Sequence, residues 1–278
     1  PLTGRRGVSL PFTDQCEALG SAGEWLEALA QEALALGRNR RWKYLEWRGN
    51  NGGFRGIQPS LSFFGHEVDL TRGLEALFAG LEPSVRRAIR KAEREGLEVE
   101  VSASSDAMKT FYDLHCQTRK KHGLPPQPFA FFQNIAHAIL GKGLGAVIVA
   151  KSGEVPVAAA VFFRFGRRAV FKYGASNSAH QGLRGNNWVM WKAIHWLASS
   201  GCASLDLGRT SLDNPGLRRF KRSWGASERR IDYLRYDFRR GGFVQDRDRA
   251  QGWHNRVFSL LPVTWLRWLG GILYPHLS

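Results

Sequence analysis

Residues 145–175 read GAVIVAKSGEVPVAAAVFFRFGRRAVFKYGA and divide into apolar segments joined by short polar turns. The segments are rich in β-branched and aromatic residues, as strands are, and the turns at 152–154 and 166–168 each carry a glycine. Strands joined by such short turns pair antiparallel. The stretch therefore predicts a meander of strands at 145–151, 155–165 and 169–175, in a chain of the α/β (α+β) class.

The segments on either side of this meander predict the other elements of one layered domain. Helices are expected at 105–121 and 131–140 before it, and a strongly apolar helix, capped by Asn186 or Asn187 and ending at Gly201, after it. A further strand is expected at 203–207. In this order of elements the chain resembles the GCN5-related N-acetyltransferase (GNAT) fold.

The first part of the chain predicts a smaller set of elements. Strands are expected at 8–12, 42–48 and 58–68, with a helix at 24–36. The sequence begins with PLTGRRG rather than with Met, and we expect it to be a fragment that lacks N-terminal strands. We predict three parts: a partial first GNAT-like subdomain (1–80), a complete second one (81–240) and an amphipathic tail (241–278).

Composition indicates a globular protein with a polyanionic partner. Of the 278 residues 43% are hydrophobic, and 40 Lys and Arg against 24 Asp and Glu give a formal charge of +16. This charge favours nucleic acid, an anionic membrane surface or a phosphorylated substrate. The 3 cysteines lack CxxC spacing, which argues against a disulfide framework or a zinc site and favours the cytoplasm.

A helix expected at 84–95 concentrates positive charge. Its apolar stripe is Val85, Ile89 and Ala92, and most of its remaining surface is Arg or Lys, at positions 86, 87, 90, 91 and 94. Each cation near an anionic surface contributes on the order of 1 kcal/mol to binding. Either this face contacts phosphates or it is a solvated helix face without a ligand, and the sequence leaves both open.

A second stretch, 205–226, reads LDLGRTSLDNPGLRRFKRSWGA and brings polar side chains to the end of a strand. We expect the strand to turn at Gly208 into a polar loop around Asn214, followed by the basic and aromatic run 218–224. Open α/β sheets bind ligands at strand ends, so this stretch is a candidate site. The alternative is a solvated basic loop after an edge strand.

The loop before the apolar helix reads HQGLRGNN (180–187) and is a candidate for phosphate binding. In the GNAT fold the phosphates of the acyl donor rest at this helix N-terminus, where unpaired N–H groups and the helix dipole favour anions. The loop resembles the acetyltransferase pattern Gln/Arg-x-x-Gly-x-Gly/Ala, but Arg184 and Asn186 stand where that pattern has glycines. We assign Arg184, Gly185 and Asn186 to donor binding.

Further motifs are spread over nearly the whole chain: PFTDQCEAL (11–19), RRAIRKAEREG (86–96), YGASN (173–177), WVMWKAIHWLASSG (188–201), LDLGRTS (205–211) and LRRFKRSWGA (217–226). Together they resemble the Fem-type (FemABX-like) acyltransferases, in particular the branch associated with exopolysaccharide and protein-sorting gene clusters. The resemblance implies two GNAT-like subdomains in tandem, the first of them truncated here. It also implies transfer of an amino acid from aminoacyl-tRNA to an amine of a lipid-linked peptidoglycan precursor, without a metal or a tightly bound cofactor.

The resemblance implies a role for the end of the second stretch. The Phe-Lys of the family's FK-x-x-F/W-G motif falls on Phe220 and Lys221, followed by Trp224 and Gly225. In the family this lysine is implicated in stabilising charge around the reacting ester. Elementary chemistry agrees, because aminolysis builds negative charge on the carbonyl oxygen and a fixed cation lowers that barrier. Lys221, with its neighbour Phe220, is the first candidate for catalysis.

Other residues of these motifs suit the remaining steps. Asp206, at the strand end, can accept the proton that an amine nucleophile loses, or it can be a structural carboxylate bonded to backbone. Arg209 and Arg218, with Arg184, can hold phosphate through their guanidinium forks. Two aromatic residues are assigned to the acceptor pocket or to the packing around it: Tyr173 and Trp224.

The tail, 253–277, is rich in Trp and Leu, yet no window of the chain approaches the roughly 20 apolar residues that span a bilayer. It either lies in a membrane interface, where Trp and Arg are well suited, or packs over the missing N-terminal region. The sequence does not decide between the two.

These inferences predict a Fem-type acyltransferase that transfers an aminoacyl or acyl group to an amine of a peptidoglycan- or exopolysaccharide-related envelope precursor. Two alternatives stay open: an N-acyltransferase that uses acyl-coenzyme A, and a non-catalytic basic protein that binds RNA or membranes. The expected partners are tRNA and a lipid-linked or saccharide precursor. We expect a cytoplasmic protein, peripheral at the inner face of the membrane, whose oligomeric state the sequence does not reveal.

Overall fold

The protein folds around one mixed sheet; the computed structural model describes residues 4–19, 24–49, 54, 56–246 and 258–274. Its strands are β1 (Gly7–Val8), β2 (Tyr44–Arg48), β3 (Leu61–Asp69), β4 (Glu98–Ser102), β5 (Gly145–Ser152), β6 (Val155–Phe165), β7 (Arg168–Ser176), β8 (Ser204–Ser211), β9 (Ser227–Asp237) and β10 (Gly242–Phe243). Its helices are α1 (Glu24–Asn39), α2 (Leu74–Gly80), α3 (Pro83–Arg94), α4 (Ser105–Lys121), α5 (Phe129–Ala138), α6 (Gly185–Ser199), α7 (Pro215–Arg222) and α8 (Val263–Leu273).

The sheet joins the two halves of the chain. Its order is β1-β2-β9-β3-β8-β7-β6-β5-β4, with β10 paired to β9. The predicted boundary between residues 80 and 81 separates β3 from β8 and β9 along the sequence, yet β3 lies between these two strands in the sheet. The division into subdomains stays a prediction.

The predicted meander is confirmed. β5, β6 and β7 pair antiparallel through turns that contain Gly153 and Gly166. Both glycines have φ of 55°, a left-handed conformation that residues with a Cβ adopt only at a cost. Glycine therefore permits these tight turns.

Helices cover both faces of the sheet. Because side chains alternate along a strand, Ile148 of β5 joins a core with α2, α3 and α6, whereas Val147 joins a core with α4 and α5. Burying an aliphatic side chain of this size stabilises the fold by about 1.5–3 kcal/mol. α8 packs beside α4, and Gly270 lies so close to the loop between α4 and α5 that an added Cβ would be 1.9 Å from the Pro126 oxygen.

A cleft opens in the middle of the sheet, between β7 and β8. These strands are parallel, and their register begins at Arg168 opposite Ser204 and ends at Val170 opposite Asp206. Beyond this point β7 stays paired with β6, and β8 pairs with β3. The two strands diverge after Val170, and α6 connects them across one face.

The predicted turn at Gly208 is wrong. β8 continues through Gly208 to Ser211, and Gly208 adopts φ of 76° within the strand. β3 accommodates this irregularity with a register shift between Gly65 and Glu67. The expected break is therefore a local distortion of a continuous strand.

Most of the basic and aromatic run after the loop lies in a helix, α7, for which the sequence predicted no secondary structure. α7 begins at Pro215, whose fixed φ suits the first turn. Asn214 caps it, because its side-chain oxygen accepts a hydrogen bond of 3.0 Å from the Leu217 N–H. The helix carries Phe220 and Lys221 against β8 and β3.

The apolar helix also begins earlier than predicted. α6 starts at Gly185, and its N-cap is Arg184 in the left-handed conformation, with φ of 61°, rather than Asn186 or Asn187. An added Cβ on Gly185 would lie 2.9 Å from Val157 and 3.1 Å from Ala158, so close packing against β6 decides where the helix starts.

The remaining predicted elements are present with shifted ends. The strand expected at 8–12 is reduced to β1, and the helix expected at 131–140 begins at Phe129. α8 lies within the predicted tail, of which 247–257 and 275–278 fall outside the described residues. In the part of the chain that the structure describes, every helix is too short or too polar to cross a membrane.

Candidate active site

A cavity of about 520 Å³ lies where β7 and β8 separate. Its walls come from these two strands, from the PFTDQ segment (residues 11–15) and from the residue that follows α8. The lining side chains used below are Phe12, Asp14, Arg48, Phe171, Lys172, Tyr173, Asp206, Arg209 and Tyr274. We call this space the acceptor cavity, after the role proposed for it below.

The PFTDQ segment is held over the cavity by bonds from distant strands. The Arg48 guanidinium of β2 donates to the Thr13 carbonyl oxygen at 2.9 Å, and the Tyr233 hydroxyl donates to the carbonyl oxygen of Asp14. Lys172 donates to the Phe12 oxygen. The backbone of this segment is thus fixed, although it is irregular and far from β7 in sequence.

Asp14 is fixed against β8 through its carboxylate. The Arg209 N–H donates to Oδ2 at 3.0 Å, and the Arg209 Nε lies 3.6 Å from Oδ1. Arg209 is itself held over aromatic rings, 4.1 Å from the Phe63 centroid and 5.2 Å from that of Tyr233. Asp14 therefore adds a positioned negative charge to the cavity.

Lys221 lies behind β8 and is 6% exposed. Its ammonium donates to the Gly208 oxygen at 2.9 Å and to the Arg209 oxygen at 2.8 Å. Burial lowers the pKa of Lys221 from 10.5 to about 8, although the Asp14 and Asp206 carboxylates oppose this shift. Near neutral pH the ammonium is therefore the main form of Lys221, and a small rise in pH forms the neutral amine.

Asp206 lines the cavity and has an unusual affinity for protons. Burial raises the pKa of Asp206, and the nearby Asp14 charge adds to the rise, whereas the Gly208 N–H, which donates to Oδ1 at 2.6 Å, lowers it. A carboxylate with a raised pKa is a better proton acceptor than one in water. Asp206 therefore suits a general base.

Gly208 lets these groups converge. Its φ of 76° is strained for any residue with a Cβ, and an added Cβ would lie 2.8 Å from Asp14 Oδ2 and 3.9 Å from Lys221 Nζ. Glycine at this position therefore allows a carboxylate and an ammonium to approach the same point of β8 from different elements.

Two further cavities lie on the α6 side of the acceptor cavity, each sharing lining residues with its neighbour. One of about 360 Å³ lies between β7 and the start of α6 and shares Phe171 with the acceptor cavity. The next, of about 570 Å³, shares Asn187 and Phe220 with it and lies between α3, α6 and α7. We call the first the middle cavity and the second the basic cavity. The charged residues that line the basic cavity are Glu82, Arg87, Lys91, Arg184 and Arg219.

Three of the five residues predicted to bind the donor gather at these two cavities, whereas Arg209 lines the acceptor cavity. Arg184 lines the basic cavity and Asn186 the middle one, while Gly185 is buried between them at the first turn of α6. A helix N-terminus presents unpaired N–H groups to an anion. The basic cavity combines four cations and the start of α6 with one carboxylate. This arrangement suits a phosphate-bearing donor.

The other predicted site residues are divided between the cavities and the core. Phe220 lines the middle and basic cavities, and Tyr173 lines the acceptor cavity while its ring packs 5.5 Å from that of Phe132. Trp224 is 1% exposed and belongs to the core. Arg218 lies outside the three cavities, bonded to Glu228 at 2.7 and 2.6 Å.

Several cavity residues were not singled out from the sequence. Asp14 and Phe12 lie in PFTDQCEAL, which was quoted as a family motif without a role for either residue. Tyr274 stacks on Phe12 with ring centroids 5.9 Å apart. Burial lowers the pKa of Lys172, a cation that faces the cavity, and Asp14 and Asp206 oppose this shift. The family motif could have identified Phe12 and Asp14 as cavity residues, whereas no sequence pattern pointed to Lys172 or Tyr274.

The described residues include no group of three or more His, Cys, Asp or Glu side chains placed to hold a metal ion.

Comparison with known proteins agrees with this architecture. The model of the acetyltransferase (GNAT) domain matches residues 83–222. The structure of FemX is similar at 15% identity over 74% of this chain and 76% of that chain, with a TM-score of 0.60. The structure of L-PGS from Bacillus licheniformis has 14% identity, coverage of 86% and 78%, and a TM-score of 0.54.

The C-terminal domain (DUF2156) of a putative lysylphosphatidylglycerol synthetase from Agrobacterium fabrum has 16% identity, coverage of 74% and 72%, and a TM-score of 0.54. No curated protein matches the sequence. At these identities the solved structures bear on the fold alone, and together with the domain match they confirm the predicted GNAT-like fold.

Proposed function

This chain belongs to the acetyltransferase (GNAT) domain family and is an acyltransferase, and we propose that it is of Fem type, transferring an aminoacyl or other acyl group to an amine of a cell-envelope precursor. One observation carries the proposal. Asp206, Asp14 and Lys221 converge on Gly208, at the point where β7 and β8 part and a chain of cavities begins.

The acceptor amine is best accommodated in the acceptor cavity. An amine that arrives as ammonium is attracted by Asp14 and Asp206 and must lose a proton before it attacks. Asp206 accepts that proton. Asp206 releases this proton to solvent, and the neutral amine nitrogen then forms a bond to the acyl carbon. The nitrogen loses its second proton to Asp206 as the ester C–O bond (or the thioester C–S bond) breaks, and Asp206 passes that proton to the leaving group.

The negative charge that develops on the acyl oxygen needs fixed cations. Lys172 and Arg209 face the cavity, and both are held by hydrogen bonds or ring contacts, so they need little reorganisation. Lys221 acts on the other side of β8, where it fixes the backbone of Gly208 and Arg209 and contributes positive charge. Each such group contributes several kcal/mol to typical acyl transfers.

The donor is best accommodated in the middle and basic cavities, which lead away from the acceptor cavity on the α6 side. The cations of the basic cavity, together with the basic face of α3, favour a polyanion, and the Fem-type resemblance makes aminoacyl-tRNA the first candidate. Arg184 occupies a position where coenzyme A binding loops carry glycine, and its side chain takes space beside the loop backbone, which disfavours the coenzyme A pyrophosphate there.

A second candidate donor is acyl-coenzyme A. The domain match and the N-terminus of α6, which has no side-chain cap, favour it, because GNAT enzymes seat pyrophosphate there. A non-catalytic role is not retained, since the chain is an acyltransferase.

The acceptor is proposed to be lipid-linked, with the protein at the inner face of the membrane. Tyr274, which lines the acceptor cavity, directly follows α8, and α8 exposes Trp265 and Trp268, each by 60%. Exposed Trp side chains beside a substrate cavity suit a membrane interface. A lipid-linked amine can then reach the cavity from the surface on which the enzyme rests.

The donor is tested by binding and single-turnover transfer with aminoacyl-tRNA, uncharged tRNA and acetyl-coenzyme A over a range of salt concentrations. We expect charged tRNA to bind, and expect log K to fall linearly with log salt. The Arg87→Glu/Lys91→Glu variant should lose tRNA binding, whereas the control Arg38→Glu/Arg40→Glu, at the C-terminal end of α1 and just beyond it, should retain it. Tight coenzyme A binding with weak salt dependence would move the proposal to the second donor.

A further inference from the structure

An aromatic residue of the acceptor cavity has a strained backbone conformation. Phe12 has φ of 59°, in the left-handed region that residues with a bulky side chain rarely adopt. Two other non-glycine residues of the described ranges share this region, and both end helices: Arg41 lies just beyond α1, and Arg184 caps the 3₁₀ helix Ser178–Leu183. Left-handed residues are common at such helix ends. Phe12 ends no helix, so its conformation needs another explanation.

Hydrogen bonds on both sides of Phe12 maintain this conformation. The N–H groups of Ser9 and Cys16 donate to two backbone oxygens of β2, at 2.9 and 2.7 Å, so both ends of the segment are fixed to one strand. Between them the Lys172 ammonium of β7 donates to the Phe12 carbonyl oxygen. The surrounding fold therefore holds Phe12 in a conformation that its own side chain disfavours, as is typical of residues that form a ligand site.

The side chain of Phe12 contributes a flat apolar surface to the cavity. Phe12 is 42% exposed and lines the acceptor cavity. Its ring lies nearly parallel to that of Tyr274, with an angle of 9° between the two planes, and Tyr274 lines the same cavity. Phe131 contacts both rings, at 5.7 and 5.8 Å between centroids, without lining the cavity. We call Phe12 and Tyr274 the aromatic wall.

A buried histidine fixes an amide on the same cavity. Gln127 lines the cavity, is 6% exposed, and has its Oε1 atom 2.8 Å from Nε2 of His115. Burial lowers the pKa of His115 from 6.5 to about 4, so the ring is neutral, and Nε2 carries the hydrogen that Oε1 accepts. The two N–H groups of the Gln127 amide are thereby turned away from His115 and can donate to oxygen atoms of a ligand.

The carboxylates of the cavity lie close to the aromatic wall. Asp14 follows Phe12 by two positions on the same fixed segment, and two residues of extended chain span at most about 7 Å. Asp206 lines the cavity as well. When the ammonium of a ligand pairs with Asp14, the carbon atoms next to that ammonium therefore lie beside the Phe12 ring.

An amino sugar combines the groups that this cavity can recognise. One face of a sugar ring presents C–H groups, whose partial positive charge suits the negative face of an aromatic ring, and its rim presents hydroxyl oxygens. A fatty chain would bury the carboxylates and the amide of the cavity against hydrocarbon, which costs free energy. An amine at the end of a flexible chain, as in lysine, pairs with a carboxylate but has no ring to cover the aromatic wall.

We propose that the acceptor amine belongs to an amino sugar, whose C–H face packs on Phe12 and Tyr274 while its ammonium pairs with Asp14. Gln127 donates to an oxygen atom of the same sugar, and Asp206 removes the protons from its nitrogen. The product is the N-acyl amino sugar, formed by the bond changes and proton transfers given for the proposed function. The inference rests on the proposed function for the transfer, but the binding of the sugar does not depend on it.

Binding in the absence of a donor tests the site, by NMR titration with three probes. Glucosamine has both the charged amine and the ring, N-acetylglucosamine has the ring without the charge, and the amide of Nα-acetyl-lysine has the charged amine without the ring. We expect glucosamine to bind about tenfold more tightly than either of the others. If the lysine derivative or N-acetylglucosamine binds as tightly as glucosamine, the proposal is wrong.

Variants separate the flat face of the ring from its apolar bulk. Phe12→Leu keeps the bulk but loses the face and should weaken glucosamine binding by about fivefold, whereas Phe12→Tyr should bind as wild type does. Gln127→Met, which removes the amide donor, should also weaken binding. Phe131→Leu is the control, because it removes a ring that contacts the aromatic wall from outside the cavity. Wild-type affinity in folded Phe12→Leu, checked by circular dichroism, or equal losses in Phe12→Leu and Phe131→Leu, would overturn the role of the ring.

Transfer assays distinguish this inference from the proposed function. Phe12→Leu should raise KM for an amino-sugar acceptor with little change in kcat, because the ring contacts the substrate and the transition state alike. If glucosamine binds as expected but no donor supports transfer, the proposed function fails and the sugar site stands. If the lysine derivative accepts the acyl group while glucosamine does not bind, the sugar site is wrong and the proposed function stands.

Discussion

Lys221 donates to the carbonyl oxygens of Gly208 and Arg209 instead of forming an ion pair within the described part of the chain. Such an arrangement keeps a buried ammonium at a free-energy cost, which is reflected in the lowered pKa of about 8. Replacing a buried charge with apolar side chains is often neutral or stabilising, so a buried charge that lowers stability is retained where it serves function.

The first prediction concerns Lys221→Met. We expect transfer to fall by at least about 100-fold, because a cation near the reacting centre is lost. Lys142→Met, at an exposed position beyond α5, should retain activity. Single-turnover transfer measures both, and a Met variant with wild-type rates would exclude Lys221 from the chemistry.

The same variant reveals the linkage between pH and stability. The folded pKa of Lys221, about 8, lies below the unfolded value of 10.5, so between these pH values the unfolded chain binds more protons. Stability therefore rises with pH over this window, by on the order of 3 kcal/mol at most. Urea unfolding at pH 7 and pH 10 should show this gain in wild type relative to Lys221→Met; parallel changes in both would contradict it.

The second prediction concerns Asp206→Asn. Asparagine preserves the bond from the Gly208 N–H but cannot accept a proton, so we expect kcat to fall by about 100-fold or more. Because burial raises the pKa of Asp206, the ionised form is disfavoured in the fold and stability falls as pH rises past about 4. The variant should thus be at least as stable as wild type at pH 7. The control is Asp106→Asn, and a large loss of melting temperature would contradict the assignment.

At the scale of elements, α7 positions Lys221, yet this helix was not predicted from the sequence. Eight residues with four Arg or Lys and one Pro make a weak helix signal, whereas the meander carries a clear strand pattern and both turn glycines. The Asn214 cap and the contacts with β3 and β8 stabilise α7 in the fold. Local sequence shows the cap but not the surface against which the helix packs.

The third prediction uses this cap. Asn214→Ala should lower the free energy of unfolding by about 1 kcal/mol, as should Ser104→Ala, which removes the equivalent bond at the start of α4. Only the change at Asn214 should also reduce transfer, because only α7 holds Lys221. Chemical denaturation and initial rates measure the two effects. Equal loss of activity in both variants would mean that α7 has no special role.

At the scale of the whole molecule, the acceptor cavity joins residues that local patterns cannot bring together. The Arg209 N–H and Asp14 are separated by 195 positions, and Tyr233 and Asp14 by 219. The sequence predicts Asp206 and Lys221 because they share one stretch, and it predicts the α6 loop because its motif is local. It does not predict Asp14, because that position depends on how β2, β9 and β3 join the GNAT-like sheet.

The last prediction concerns the orientation of the molecule on a membrane. α8 buries Leu266 and Gly270 and exposes Trp265 and Trp268, and the chain as a whole carries a formal charge of +16. Both properties favour anionic vesicles, the first through apolar burial in the interface and the second through attraction to lipid headgroups. Cosedimentation with phosphatidylglycerol-containing vesicles should therefore exceed that with neutral vesicles.

The two contributions can be separated. Trp265→Ala/Trp268→Ala should weaken vesicle binding by at least about tenfold, since partial burial of an aromatic side chain contributes more than about 1.4 kcal/mol. Phe165→Ala, at a turn where the ring is 81% exposed, removes an equally accessible aromatic group away from α8 and should have little effect. If only salt weakens binding and both variants behave like wild type, charge alone brings the protein to the membrane, and the face of α8 has another partner.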